Sequence, residues 1–374
     1  MIRRPRIAVD GRALVDSPAG VGYYTRSLLL HLAQRGNLNL TAMSHRAARQ
    51  CDELASAGVE LETLTAPFGS WWQQRTLPRR LRKGDFDAFW SPVGTLPNGE
   101  LPPAVVTVHD ITPILFPYWH SWRNRVTFKR HLPDTLRSAA RIVAVSQATA
   151  ADLERRFPTS SSRITVVPNG VDPVFTPAIQ PQLAAIRRSF DAPDGYALFV
   201  GTLEPRKNLP RLLDAWSSLR ERMPNAPPLL IAGGKGWRSR GLRRRLQRSP
   251  GVRYLGRLDR TRLVEVLQGA LLFVYPSLYE GFGLPVAEAM ACGLPVITSN
   301  TSSLPEVTGE AGILINPQHT EELASAMSKL LTDVRLRSEL GARARERSRR
   351  FSWDAAATRL EQVLLEVSSE TRKE

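Results

Sequence analysis

The chain has 374 residues, 42% hydrophobic and 23% charged, with two cysteines and a formal net charge of +16. Length and balance fit two soluble domains, each with a genuine core, and exclude disordered, collagen-like and disulfide-stapled chains. The excess charge is split evenly, +8 in residues 1–180 and +8 in the remainder, so anionic partners are expected of the whole chain and not of a tail.

Short apolar runs alternate with longer helical stretches. The first series of strands is expected at Arg6–Val9, Leu38–Met43, Val59–Leu64, Ala88–Trp90, Ala104–Val108, Arg141–Val145 and Ile164–Val167, with helices such as Gly22–Gln34 and Gln147–Phe157 between them. Pro168 to Gly195 is dense in turn formers and reads as a join. The pattern restarts at Ala197–Val200, Leu229–Ala232, Val252–Leu255, Leu271–Tyr275, Pro295–Thr298 and Ile313–Ile315. Ser352 is the expected cap of a last helix running to Val367. Alternation of strand and helix predicts parallel sheets covered on both faces, here two doubly wound α/β domains facing across a cleft. The expected boundaries are 1–180, 195–350 and a terminal helix in 351–374.

No apolar run reaches the roughly 18 residues of a membrane span. The basic start, Met1 to Arg6, is followed by only Ile7-Ala8-Val9, too short for the apolar region of a signal peptide. A cytoplasmic compartment is expected; Cys51 and Cys292 are far apart in sequence, and Cys292, in an apolar context, reads as a buried, reduced thiol. Two acid-free clusters stand out. Trp71-Trp72 precede Arg75, Arg79, Arg80, Arg82 and Lys83, and Tyr118, Trp119, Trp122 and Phe128 sit among Arg123, Arg125, Lys129 and Arg130. Interfacial aromatics beside cations suit an anionic membrane surface, and ordinary amphipathic helices with solvated arginines would give the same pattern. A third cluster, Lys235, Arg238, Arg240, Arg243, Arg244, Arg245 and Arg248, reads first as a solvated helix face and second as a phosphate contact.

Ligands of open α/β sheets bind beyond the carboxyl ends of strands, which directs the search for chemistry to those ends. The most specific segment is Glu280-Gly281-Phe282-Gly283-Leu284-Pro285-Val286-Ala287-Glu288. Its glycines allow close backbone approach, and a helix beginning near Leu284 offers an anion site suited to a diphosphate. A carboxylate accepts two hydroxyl hydrogen bonds, so Glu280 for a sugar ring and Glu288 for a ribose is a coherent division. Gly201-Thr202-Leu203-Glu204-Pro205-Arg206-Lys207-Asn208 follows a strand, and its two adjacent cations could neutralise a departing diphosphate. His109-Asp110 follows another strand, where His109 could donate to or accept from a substrate hydroxyl. Gly20 and Gly22 lie in a glycine-bearing turn, Asp16 to Thr25, whose spacing does not match a nicotinamide-cofactor fingerprint. Asp85-Phe86-Asp87 has the spacing of a metal carboxylate pair but precedes its strand, the wrong end for a site.

On these residues the chain resembles the retaining glycosyltransferases of the GT-B fold (family 4, glycosyl transferases group 1), over nearly its whole length. The resemblance rests on Glu280 and Glu288, on Gly201 with Glu204-Pro205-Arg206-Lys207-Asn208, on Val166-Val167-Pro168-Asn169-Gly170-Val171-Asp172, and on Val145-Ser146. Val108-His109-Asp110 with Leu115-Phe116-Pro117, and Gly201-Thr202-Leu203-Glu204-Pro205-Arg206-Lys207-Asn208, look most like the bacterial O-antigen mannosyl- and rhamnosyltransferases. The resemblance implies two Rossmann-like domains, the second holding the nucleotide sugar and the first the acceptor, with the terminal helix crossing back to the first. It implies that Glu288 holds the ribose and Glu280 the sugar, that Arg206 and Lys207 stabilise the leaving diphosphate, and that His109 touches the sugar. Gly20, Gly22, Gly201, Thr202, Gly281, Phe282, Gly283 and Leu284 complete the donor site. No metal or cofactor is implied.

The resemblance favours a GDP-linked mannose or rhamnose as donor, and a polyprenyl-diphosphate-linked saccharide as acceptor. The chain departs from the family in carrying Ala19-Gly20 for two glycines and Thr202 where many members have arginine, which puts more of the phosphate neutralisation on Arg206 and Lys207. A nucleotide-sugar epimerase or phosphorylase of the same fold, a binding subunit without turnover, and a basic nucleic-acid-binding protein are the alternatives. No nucleic-acid motif supports the last.

Overall fold

Among the described residues thirteen short strands, most of them buried on both faces, form two parallel sheets. In this computed structural model the described residues are 3–15, 20–48, 51–83, 85–158, 161–236 and 239–370. Asp16 to Ala19, Arg238 and the last four residues lie outside them.

The strands are β1 Arg6–Asp10, β2 Asn39–Ser44, β3 Glu60–Thr63, β4 Ala88–Ser91, β5 Ala104–Val108, β6 Arg141–Ala144 and β7 Ile164–Val166. They form one sheet in the order β3-β2-β1-β4-β5-β6-β7. The second sheet holds β8 Ala197–Val200, β9 Leu229–Ala232, β10 Val252–Gly256, β11 Leu272–Tyr275, β12 Val296–Ser299 and β13 Gly312–Ile315, in the order β10-β9-β8-β11-β12-β13. Every pairing is parallel; Val9 aligns with Trp90 across β1 and β4, and Phe273 with Leu198 across β11 and β8. Continuous runs such as Leu229-Leu230-Ile231-Ala232 are buried throughout, as strands covered by helices on both faces require.

Contacts divide the chain into two units, one of residues 1–115, 122–170 and 352–374, the other of 116–121 and 171–351. In the first, the C-terminal helix Trp353–Glu370 packs on the helix Val21–Arg35, where Arg35 Nε donates to Glu361 at 2.9 Å. Ser352 Oγ accepts from Ala355 N at 3.1 Å, the expected cap. Gly170 makes this docking possible, since a Cβ there would lie 2.2 Å from Trp353 N. The Pro168–Gly195 stretch, read from sequence as a join, contains a helix, Gln180–Ser189. Its apolar residues are few, and the prolines around it dominated the sequence signal.

In each sheet the strand order reverses once, between β1 and β4 and between β8 and β11. Diverging connections leave a crevice at the carboxyl ends of those strands, where such sheets bind ligands. In the second unit that crevice is framed by the segment after Val200 and the segment after Tyr275. These are the two segments in which the sequence concentrates its chemistry.

Candidate active site

The turn after β8 carries Arg206 and Lys207 in a short 3-10 helix, Pro205–Lys207, and Asn208 ends it in the left-handed region at φ 58°. The segment after β11 carries Glu280. Their side chains meet. Lys207 Nζ lies 2.6 Å from Glu280 Oε1, and Arg206 Nη1 lies 2.5 Å from Glu280 Oε2 and 3.2 Å from the Tyr279 carbonyl. Leu278 N donates to the Arg206 carbonyl at 2.8 Å, tying the two backbones together. Arg206 Nε reaches Glu204 at 2.9 Å, so two cations face two carboxylates.

Further polar groups converge on Glu280. Ser277 Oγ is 2.7 Å from Oε1, and the Tyr275 hydroxyl donates to the same oxygen at 3.0 Å while accepting from Lys207 Nζ at 2.5 Å. Burial alone would raise the Glu280 carboxyl; Arg206 and Lys207 outweigh it, and its pKa is lowered to about 2. Burial pushes the Lys207 ammonium below its ordinary range, and Arg206 adds to this against the pull of Glu280. The Tyr275 hydroxyl is pushed up by burial and by Glu280 and stays protonated. The sequence reading gives Glu280 to a sugar ring. In the structure its oxygens are engaged by four neighbouring donors, and it acts as the counter-ion that lets Lys207 remain buried and charged. Arg206 keeps a fifth of its side-chain surface exposed, and is the cation better placed to meet a ligand.

The glycine-bearing loop follows. Gly283 adopts φ 101°, a conformation glycine tolerates, and its carbonyl accepts from Val286 N and Ala287 N to open the helix Leu284–Ala291. Pro285 stands in the first turn, where its missing N–H costs nothing. The turn after β12 braces this loop: Ser302 Oγ accepts from Glu280 N at 2.9 Å, and Ser303 Oγ donates to the Phe282 carbonyl at 2.9 Å. Gly281 and Phe282 are buried, with the Phe282 ring edge-on to Phe351; Leu284 is half-buried, Gly201 half-buried and Thr202 exposed. Glu288 is buried one turn into the helix, 3.3 Å from Arg260 Nη1. Arg260 also holds Asp172 at 2.9 Å and lies over the Phe175 ring. Burial raises the Glu288 carboxyl to about 7, with Arg260 opposing.

The first unit holds the other predicted residues. His109 follows β5, half-buried, with Nε2 2.8 Å from the Pro92 carbonyl and its ring edge-on to Tyr24 at 4.7 Å. Burial lowers its pKa, so the ring is neutral. A carbonyl can only accept, so Nε2 carries the proton and Nδ1 is left as an acceptor. Asp110 does not bond His109. Its Oδ1 accepts from Thr112 N at 2.9 Å and caps the following helical turn. Gly20, at φ 51°, precedes the helix Val21–Arg35, and Gly22 is buried in its first turn. Asp85 and Asp87 are taken up by Arg80 and by Arg3 and the Arg6 backbone.

The braces Ser277, Ser302, Ser303 and Tyr275, and the partners Glu204, Arg260 and Asp172, are functional-site residues that the sequence reading does not reach. Only Thr301-Ser302-Ser303 directly after a strand carries a local signal, a polar run where β12 ends at the same edge as β11. At the corresponding edge of the first sheet, Asp10 is fully buried against Arg12. Arg12 continues through Gln73 to Thr95.

Residues 185–347 match the family model "Glycosyl transferases group 1", and residues 18–175 match "Glycosyltransferase Family 4". The O-antigen chain mannosyltransferase B of Escherichia coli is 35% identical over 260 residues, 68% of each chain. The chain belongs to this glycosyltransferase family. The serotype-specific mannosyltransferase WbdA of E. coli is 31% identical over 69% of this glycosyltransferase, which matches only 33% of that longer protein. A D-inositol 3-phosphate glycosyltransferase of Corynebacterium efficiens is 32% identical over 62% of this chain and 57% of its own. Two solved structures share the fold. WaaG, a glycosyltransferase involved in lipopolysaccharide biosynthesis, superposes with a TM-score of 0.76 at 18% identity, covering 96% of this chain and 99% of its own. Anabaena HepE in complex with UDP and glucose gives 0.75 at 19%, covering 97% and 100%. The fold is therefore GT-B, with two Rossmann-like halves.

Proposed function

We propose that this glycosyltransferase moves mannose or rhamnose from a GDP-linked donor, with retention of configuration, to a saccharide carried on polyprenyl diphosphate during cell-surface polysaccharide synthesis. The observation that carries the reading is the joining of Arg206, Lys207 and Glu280 beside the Gly281–Gly283 loop, at the crevice of the second sheet. The names of the two E. coli relatives support mannosyl transfer and an O-antigen product.

The diphosphate docks at the start of the helix Leu284–Ala291, with Arg206 and Lys207 meeting its charge. As the glycosidic bond breaks, negative charge grows on the leaving oxygen and positive charge on the anomeric carbon. Preorganised cations in a dry site stabilise that separation without reorganising, and no metal is needed for it. Glu280 holds both cations in place, and Glu288 accepts from the ribose hydroxyls. The acceptor hydroxyl attacks the face the diphosphate leaves and passes its proton to the departing phosphate oxygen. His109, through Nδ1, accepts from a substrate hydroxyl.

A peripheral seat on the inner face of the cytoplasmic membrane fits a lipid-linked acceptor. Among the described residues no helix is long and apolar enough to cross a membrane. Trp122 and Val126 are exposed on the helix Trp122–Ser138 beside Arg123, Arg125, Lys129 and Arg130, and Trp71 is exposed near Arg75. Aromatic side chains flanked by cations suit an anionic lipid interface.

The decisive experiment is a thermal-shift panel of GDP, UDP and ADP, followed by transfer from the winning sugar nucleotide to a polyprenyl-linked acceptor with and without EDTA. GDP gives the largest shift by mass action, the product keeps the donor's anomeric configuration by NMR, and EDTA changes nothing. A larger shift with UDP, an inverted product or loss of activity in EDTA each removes the corresponding part of the reading.

A further inference from the structure

The second unit contains a cavity of about 400 Å³ whose lining shares no residue with the donor group. One wall is the helix Leu209–Arg222, contributing Leu213, Trp216 and Ser217. The other is the helix Arg240–Arg248 with the turn after it, contributing Arg244, Arg245, Arg248 and Pro250.

Two features suit this cavity to a ligand with an anionic end. The first is charge. The helix Arg240–Arg248 carries Arg240, Arg243, Arg244, Arg245 and Arg248 and no acid. Its arginines stand three and four residues apart, so like charges face one another and weaken the helix. Arg245 is paired with Asp214, while Arg244 and Arg248 are exposed and meet no carboxylate among the described residues. The second is an apolar wall. Leu213 and Trp216, 2% and 1% exposed, line the side formed by the helix Leu209–Arg222.

We propose that this cavity binds a phosphate-bearing small molecule at a second site, separate from the donor. Arg244 and Arg248 hold the phosphate oxygens, and Leu213, Trp216 and Pro250 receive the apolar remainder. Arginine is the residue suited to planar, bidentate contact with phosphate. The volume fits a nucleotide or a sugar phosphate. An occupant would also bear on the donor group. The helix Leu209–Arg222 starts directly after Lys207 and Asn208, and the segment leading to Arg240 is joined to the same turn, Leu203 N donating to the Gly234 carbonyl at 3.0 Å.

The test is isothermal titration of the full chain with inorganic pyrophosphate, in wild type, Arg244→Gln/Arg248→Gln and Arg240→Gln. Arg244 and Arg248 are exposed, so their replacement leaves the core intact. We expect two pyrophosphates on the wild type and one on the double variant, with the lost site unaltered in Arg240→Gln. One on the wild type and none on the double variant supports the cavity and defeats the donor reading instead. Equal numbers on wild type and double variant overturn the proposal. So does equal weakening by Arg240→Gln, which would mean diffuse charge. Sedimentation with phosphatidylglycerol vesicles separates a lipid source of phosphate. Vesicle binding that fails in the double variant, with pyrophosphate binding unchanged, also overturns it.

Discussion

Lys207 Nζ and Glu280 Oε1 lie 2.6 Å apart, both side chains buried, in segments that follow two strands 75 residues apart at their start. Neither charge is tolerable there alone. Replacing Glu280 by leucine strands a buried ammonium and is expected to cost about 3–5 kcal/mol of stability. Glu280→Leu with Lys207→Met removes both charges and recovers most of that loss, while donor turnover stays abolished in both. Urea melts and steady-state kinetics check this. A double variant no more stable than the single one refutes the ion pair as a stabilising unit. Because the folded pKa of Glu280 is depressed to about 2, its contribution is present above the ordinary carboxylate pKa and is lost as pH falls through about 2.

Glu288 behaves in the opposite sense. Its folded pKa is raised to about 7 against an ordinary 4.5, so the folded state holds a proton that the unfolded chain has released. Stability therefore falls as pH rises from 4.5 through 7, by on the order of 3 kcal/mol in all. Glu288→Gln removes that dependence. The variant is more stable than wild type at pH 8 and close to it at pH 4.5, measured by urea midpoints, and it binds the donor more weakly. Parallel pH–stability curves for the two proteins would dispose of the raised carboxyl.

The Pro92 carbonyl assigns the His109 tautomer. We expect nitrogen-15 shifts to show Nε2–H and a neutral ring at pH 6.5. His109→Phe keeps a flat ring but loses the Nδ1 acceptor and the Pro92 hydrogen bond. It should lower kcat by about tenfold, the size expected for losing one hydrogen bond of roughly 1–1.5 kcal/mol to a substrate hydroxyl, with little change in donor affinity. An imidazolium at neutral pH, or an unaltered kcat, would contradict the assignment.

Much of the fold is legible in the chain. Strands such as Ala104–Val108, Ala197–Val200 and Leu229–Ala232 are read to the residue, because each is a compact apolar run with polar or turn-forming neighbours. The helix Gln180–Ser189 is not, since its prolines and weak apolar face speak for a loop. The positions of Arg206, Lys207, Gly283 and Glu288 near strand ends are legible too, through spacing and glycine content.

What the sequence alone determined is the alternation of strand and helix, the parallel sheets that follow from it, and the residue types gathered after β8 and β11. What only the tertiary structure decided is who meets whom. Sequence places Glu280 near a sugar; the folded chain sets it against two cations. Asp172 joins Arg260 and Glu288, and Ser302 braces the Glu280 backbone. The physical reason is range. Hydrophobic periodicity and turn chemistry act over a few residues and leave a trace in the local sequence. A buried charge must be matched by whatever group sheet order brings within 3 Å, and that partner can lie anywhere along the chain.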